Sequence, residues 1–327
     1  MRCVVTGATG CLGLNLTKRL ITEGCEVIAL GRNQRLGAIL SRLGAQFVTM
    51  DLSEQERLQR LTRHTEIIFH CAALSSPWGS YKDFYQANVI GTQHVIAATP
   101  HDARLIHVSS PSIYFDFSEK HHIREDEELP IKPVNHYIKT KRLAESLIDK
   151  AHKERHLQVI TLRPRALFGP YDRAIFPRIL KAERNGVLPI IGTGENIIDI
   201  TFVDNVVESL ILASKAESQH CGKKYNITND EPQQLITIIT TLYHVLHKPL
   251  KVKYIPYSIA KNIAHCLEVL YRLPFITAEP RLTAYSAGVL ALGQTLNIEA
   301  AKKDLGYKPI VSIAEGLQHF AHWYKAL

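Results

Sequence analysis

The stretch RCVVTGATGCLGLNL, residues 2–16, decides the fold. Cys3 to Thr6 make a short apolar run rich in β-branched residues, which predicts a buried strand. Gly7, Gly10 and Gly13 follow as G-x-x-G-x-x-G, and the leucines beyond them predict a helix. A strand that turns through glycines straight into a helix aims free N–H groups and the positive end of a helix dipole at one point. The first glycine permits the tight turn, the second lets the backbone approach a pyrophosphate, and the third packs helix against strand. A dinucleotide site is therefore expected at this loop, formed by Gly7, Thr9, Gly10, Cys11, Leu12 and Gly13.

Outward from this stretch the pattern repeats. RCVVTG, CEVIAL, AQFVTM, EIIFHCA, RLIHVSS and LQVITLRP are short β-branched runs separated by segments of helical spacing. Parallel neighbours need crossover connections, so strands alternating with helices predict a doubly wound parallel α/β sheet of the Rossmann type. After Pro164 the texture changes to short strands broken by Gly and Pro. This predicts a dinucleotide-binding domain over residues 1–167 and a smaller mixed α/β substrate lobe over 168–327, with segments returning to the main sheet.

The chain has 327 residues, 46% hydrophobic and 21% charged, which suits a soluble globular protein with a sizeable core. Its apolar runs are too short to span a membrane, and the start carries no basic, cleavable leader, so a cytoplasmic protein is the expectation. The helical segment 258–273 places Ile259, Ile263, Leu267, Leu270 and Tyr271 on one stripe. Packing onto the core is expected for it, with peripheral membrane contact or a substrate entrance as the alternatives. A formal charge of +8 is spread over many helices without a nucleic-acid module, which predicts attraction for anionic small molecules and no nucleic-acid partner. Six cysteines without CxxC spacing read as reduced, packed thiols. His152 and His156 stand one turn apart, but no third ligand joins them, so no metal is expected.

The TG-x-x-G-x-x-G spacing resembles the extended branch of the short-chain dehydrogenase/reductase superfamily. In that light GRN after the second strand becomes informative. An acid there accepts from the 2′-hydroxyl of NAD, and Gly31 has no acceptor. Arg32 offers a forked cation suited to a 2′-phosphate, with Asn33 and Arg35 in support, so NADP(H) is expected over NAD(H). The resemblance implies that Asp51 and Leu52 contact the adenine, and that Cys71, Ala72 and Ala73 of HCAAL border the ribose. It adds Pro164 to the cofactor-binding set, and it suggests that Cys11 fills space.

NHYIKTKRLAES places Tyr137 and Lys141 four residues apart, on one face of a predicted helix. A lysine cation and an oxidised nicotinamide would both favour the phenolate, giving an acid/base group near neutral pH. A hydroxyl is expected at the end of the fifth strand, where HVSSPSIYF supplies Ser109, Ser110 and Ser112. The resemblance picks Ser110 to polarise the reacting oxygen, Ser112 as a substrate contact, and Asn88 to support the proton path. Pro111 and Ser112 stand where related dehydratases place Asp-Glu, which argues against elimination chemistry. GTGENIIDITFVDNVVESLILA, RPRALFGP and NIEAAKKDLGYKPIVSIAEGL narrow the likeness to the 3β-hydroxysteroid dehydrogenase-like group, near sterol-4-carboxylate 3-dehydrogenases and 2-alkyl-3-oxoalkanoate reductases.

That likeness implies hydride exchange between a secondary 3-hydroxyl and a ketone on an apolar β-keto or β-hydroxy acid or a steroid-like substrate. Trp78, Ser112, Phe168, Tyr171 and Ile198 are the expected pocket residues. It also implies a homodimer through the helices bearing Asn88 and Tyr137. The rival readings are a UDP-sugar epimerase and a non-catalytic NADP(H)-binding regulator.

Overall fold

The computed structural model describes residues 1–273, 276 and 278–326. Its main sheet has seven strands. They are β1 (Arg2–Thr6), β2 (Glu26–Gly31), β3 (Gln46–Thr49), β4 (Ile67–His70), β5 (Arg104–Val108), β6 (Gln158–Pro164) and β7 (Lys224–Ile227). All pairings are parallel, in the spatial order β3-β2-β1-β4-β5-β6-β7. The order reverses between β1 and β4, so the crevice at the carboxyl ends of those strands is where a doubly wound sheet takes its ligand.

The strands are mostly apolar because helices cover both faces, with His70, His107 and Arg163 among the buried polar exceptions. Alternate residues divide between two cores. Cys3, Val5, Val27, Ala29, Phe69 and Ile160 pack on one side, beneath α1 (Cys11–Thr22) and the helix Val203–Lys215. Val4, Ile28, Leu30, Ile68 and Val159 pack on the other, against Leu58, Val95 and Ile148.

A second, four-stranded sheet joins Gln233–Gln234, Ile197–Ile198, Gln294–Leu296 and Lys120–Ile123, in that order. Its last strand comes from the first half of the chain, while β7 comes from the second half and lies at the edge of the main sheet.

A third core explains two departures from the expected pocket. Phe168 is fully buried, its ring centroid 5.1 Å from Phe176 and 5.5 Å from Phe202. Ile198 turns into the same core while its neighbour Ile197 faces solvent, as strand alternation requires. Both side chains are spent on packing rather than on lining an open cavity.

The helix Tyr257–Tyr271 also departs from the amphipathic reading. Ile259, Ile263 and Leu270 are about half exposed, at 51%, 49% and 49%. The inward face is Ala260 and Ala264, which pack with Ala287 and Ile191. Small residues let this helix approach Ala284–Ala291 closely, and that contact outranks burial of the larger aliphatic stripe.

Candidate active site

The glycine loop is closed around itself. Gly10 N–H donates to the Gly7 carbonyl at 2.9 Å, and Ala8 N–H donates to Leu30 of β2 at 2.9 Å. Gly7 has φ +66°, and a Cβ there would lie 2.7 Å from the Ala72 Cα. A Cβ on Gly13 would lie 2.3 Å from the Gly7 carbonyl oxygen. Both positions therefore need glycine: one so that the loop can lie against the residues after β4, the other so that α1 can start against β1. Thr6 Oγ1 accepts from Ala72 N–H at 3.2 Å, tying Cys71–Ala73 to the same crevice. Bare backbone above the β1–β4 switch point, at the amino end of a 12-residue helix, fits a dinucleotide pyrophosphate.

Cys11 opens α1 with its thiol bonded to the Pro170 carbonyl at 3.4 Å, and burial pushes its pKa well up. Burial likewise pushes Cys71 up to about 12. Neither is a reactive thiolate.

At the end of β2 the missing acid has a steric explanation. A Cβ on Gly31 would lie 2.7 Å from Thr9 Oγ1 and 2.8 Å from Thr9 Cγ2. Arg32 projects into solvent with 79% of its side chain exposed, its nearest partner the Asp51 carboxylate at 3.6 Å. Asn33 spends its carbonyl oxygen capping the helix α2 (Gln34–Arg42), accepting from Leu36 N–H at 3.1 Å. Asp51 accepts from Ser53 N–H at 3.0 Å, which holds its carboxyl below the usual range. Leu52 gives its carbonyl to His94 Nδ1 at 2.7 Å.

The helix His136–Arg155 starts at an Asn135 cap and carries Tyr137 and Lys141 on the face toward β5. Lys141 is 3% exposed and donates to the Val108 carbonyl, the last of β5, at 2.8 Å. Burial lowers its pKa to about 8, so it remains a cation at neutral pH. Beneath it His70 and His107 stack at 5.7 Å, both kept neutral by burial and by the Lys141 charge.

Tyr137 faces the hydroxyls of Ser110 and Ser75, which favour its ionised form. Burial raises its pKa and outweighs them, so the resting side chain is a neutral phenol. Lys141 is not among the groups that shift it, so the resting site lacks the expected pull toward phenolate. Ser110 also donates to Ser112 Oγ at 2.9 Å. Ser112 in turn neighbours Tyr285, a partly buried residue 148 positions from Tyr137 in the chain. Ser75 and Tyr285 escaped the sequence reading, because hydroxyls on a loop and on a distant helix carry no spacing signal.

Asn88 is buried in a π-helical turn, Tyr85–Ile90. It accepts from Leu74 N–H at 2.7 Å and donates to the Leu74 carbonyl and to Thr140 Oγ1, each at 3.1 Å. Its amide thus clamps the Cys71–Leu74 loop to the tyrosine helix. Pro164 closes β6 beside them.

A cleft of about 230 Å³ opens next to these groups, lined by Trp78, Phe84, Phe117, His136, Arg272 and Tyr285, among others. Of the expected pocket residues, Trp78 lines this cleft. Tyr171 does not. It lines a separate cavity with Lys18, Asp204, His319 and Trp323, its hydroxyl bonded to Lys18 at 3.1 Å. Positive φ (69°) after Pro170 turns it toward α1, away from Tyr137. Among the described residues no cluster of His, Cys, Asp or Glu is arranged to hold a metal, and none of the helices is long and apolar enough to cross a membrane.

Residues 3–228 match the pattern of the NAD dependent epimerase/dehydratase family. The chain is 32% identical to a 2-alkyl-3-oxoalkanoate reductase of Stenotrophomonas maltophilia, over 97% of this chain and 98% of that one. It is 32% identical to the mouse (Mus musculus) decarboxylating sterol-4-alpha-carboxylate 3-dehydrogenase, over 97% and 89%. In fold it superposes on a UDP-glucuronic acid 4-epimerase from Bacillus cereus, solved with NAD, with a TM-score of 0.79 at 23% identity, covering 100% of this chain and 99% of that one.

Proposed function

The chain belongs to the NAD dependent epimerase/dehydratase family, and from that premise we propose that it is an NADP(H)-dependent reductase of a 2-alkyl-3-oxoalkanoate or similar β-keto acid. The observation that carries the reading is the juxtaposition of Ser110 and Tyr137 at the carboxyl end of the sheet, with Lys141 one helical turn on and held to the Val108 carbonyl.

When bound, the nicotinamide supplies or accepts a hydride at the carbon that bears the reacting oxygen. The protein handles the oxygen and its proton. Gly7, Gly10 and Gly13 receive the pyrophosphate, Arg32 the 2′-phosphate, and Lys141 the ribose hydroxyls through the ammonium protons that Val108 leaves free. Ser110 donates to the substrate carbonyl oxygen. Tyr137, a neutral phenol at rest, holds the proton that this oxygen needs as it gains charge, so the site is poised for reduction. The Lys141 cation nearby stabilises the phenolate that proton release leaves behind. Asn88 keeps the Cys71–Leu74 loop and the tyrosine helix at a fixed separation.

The mouse relative supports a second reading, a 3-hydroxysteroid or sterol-carboxylate dehydrogenase using the same residues. A screen of NADPH and NADH oxidation against 2-alkyl-3-oxo acids, ketosteroids and UDP-sugars tests the proposal. We expect turnover of the oxo acids with NADPH. Turnover confined to steroids, or epimerised UDP-sugar, would overturn it.

A further inference from the structure

The carboxyl end of the main sheet holds a cation that the mechanism above does not use. Arg163 and Arg165 flank Pro164 at the carboxyl end of β6, and both are buried, at 3% and 6% exposure. Arg163 is the strand's residue facing the tyrosine helix, and Arg165 follows just past the strand's end at Pro164. Their hydrogen bonding differs sharply. Arg163 meets both Glu145 oxygens at 2.9 and 2.6 Å, and reaches Tyr114 and the Glu125 carbonyl as well. Its charge is fully answered inside the fold.

Arg165 is held only by its backbone. Its N–H donates to the Ile227 carbonyl at 2.9 Å, and its carbonyl accepts from Thr201 Oγ1 at 2.5 Å. Its Nε is enclosed without a hydrogen-bond partner. Among the described residues no carboxylate reaches its guanidinium within ion-pair distance. Taking a cation out of water without a partner is destabilising, and the fold supplies this guanidinium with no counter-charge in contact.

Two groups act on it from beyond contact. One is Asp199, whose carboxylate is engaged by Leu296 N–H at 2.7 Å. The other is Tyr285, which lines the cleft. Tyr285 neighbours Ser112, Ser112 accepts from Ser110 at 2.9 Å, and Ser110 faces Tyr137. The surroundings of Arg165 and those of the proton donor therefore meet at Tyr285.

In a 3-oxo acid only C2 separates the carboxylate from the reacting carbonyl. Whatever binds that carboxylate must stand beside the groups that bind the carbonyl oxygen. We propose that Arg165 is the carboxylate-binding residue of this site, and that with Ser110 it grips the substrate at both ends of its O=C–C–COO⁻ unit. The fork matches a carboxylate in two parallel hydrogen bonds, and one orientation then presents C3 to hydride on a single face. The inference rests on the β-keto acid reading and sharpens it: substrates should carry the acid free.

The test compares a 2-alkyl-3-oxo acid with its methyl ester, which keeps the shape and removes the charge. Wild type should prefer the acid. In Arg165→Met the acid-to-ester ratio of kcat/KM should fall about 30-fold or more, mainly through KM for the acid. Arg165→Lys, which keeps the charge and loses the fork, should fall between the two. NADPH binding and a cooperative melt report that each variant is folded, and should Arg165→Met fail them, the Lys variant alone decides. An unchanged ratio in either folded variant would overturn the assignment. Failure of wild type to reduce both acid and ester would instead overturn the reductase reading.

Discussion

The most informative perturbation of cofactor choice lies at Thr9, Gly31 and Arg32. Arg32 is 79% exposed, with only Asp51 near it at 3.6 Å, so its guanidinium is free to take a 2′-phosphate at little desolvation cost. A charge-assisted hydrogen bond contributes about 1.5–3 kcal/mol, and exposure to solvent places this one toward the lower end. Arg32→Ala should therefore weaken NADPH by about 10- to 30-fold, at 1.4 kcal/mol per factor of ten, and leave NADH within about twofold.

Installing the acid that NAD would want is a separate matter. In Gly31→Asp the new Cβ would lie 2.7 and 2.8 Å from Thr9 Oγ1 and Cγ2. Threonine is β-branched and cannot rotate both atoms clear, so the single variant should bind both cofactors poorly. Thr9→Ala removes the two clashing atoms and leaves the Thr9 Cβ contact at 3.3 Å. The double variant Thr9→Ala/Gly31→Asp should thus bind NADH more tightly than Gly31→Asp alone. Titration of protein-enhanced NADPH and NADH fluorescence at two salt concentrations measures all of these, and the Arg32 effect should shrink at high salt. An Arg32→Ala variant with the wild-type NADPH-to-NADH ratio would refute the reasoning.

Glu145 and Arg163 form a buried pair, 6% and 4% exposed, with burial raising the Glu145 pKa and the Arg163 bonds more than reversing it. Glu145→Gln should cost about 3–5 kcal/mol in denaturant melts, because it strands the guanidinium. His70 has its pKa lowered by burial to about 3 against an ordinary 6.5, so below pH 6.5 the unfolded chain binds the proton first. Stability should then fall by about 1.4 kcal/mol per pH unit for this residue as pH drops from 6.5 toward 3, with His107 adding in the same direction. Chemical melts at pH 7.5, 6 and 5 check the slope. Lys141 titrates near 8 and must be charged to grip the ribose, so kcat/KM should decline above that pH, as a pH–rate profile would record.

Much of this was written in the sequence, for identifiable reasons. Local signals survive folding: β-branched runs became the buried strands of the main sheet, and the glycine spacing marked positions where a Cβ would strike backbone. The Tyr137–Lys141 interval works because four residues make one helical turn. Readings that depended on tertiary neighbours were less secure. The stripe Ile259–Ile263–Leu270 has the period of a core face, yet Ala260 and Ala264 take the inside because they permit closer approach. Phe168 and Ile198 are apolar in either role, and only packing distinguishes a core residue from a pocket wall. Tyr285 comes to the cleft beside Ser112 through long-range packing that no motif announces.

The central claim is that Tyr137 moves the proton while the glycine loop and Lys141 hold the cofactor. Tyr137→Phe removes the hydroxyl and keeps the ring that packs 6.3 Å from Phe84. Its single-turnover reduction of a 2-alkyl-3-oxo acid, measured beside NADPH affinity, tests that division directly. The predicted result is a rate lower by about 10²–10⁴-fold with NADPH binding nearly unchanged. A variant that keeps wild-type turnover, or one that loses the cofactor along with it, would contradict the account.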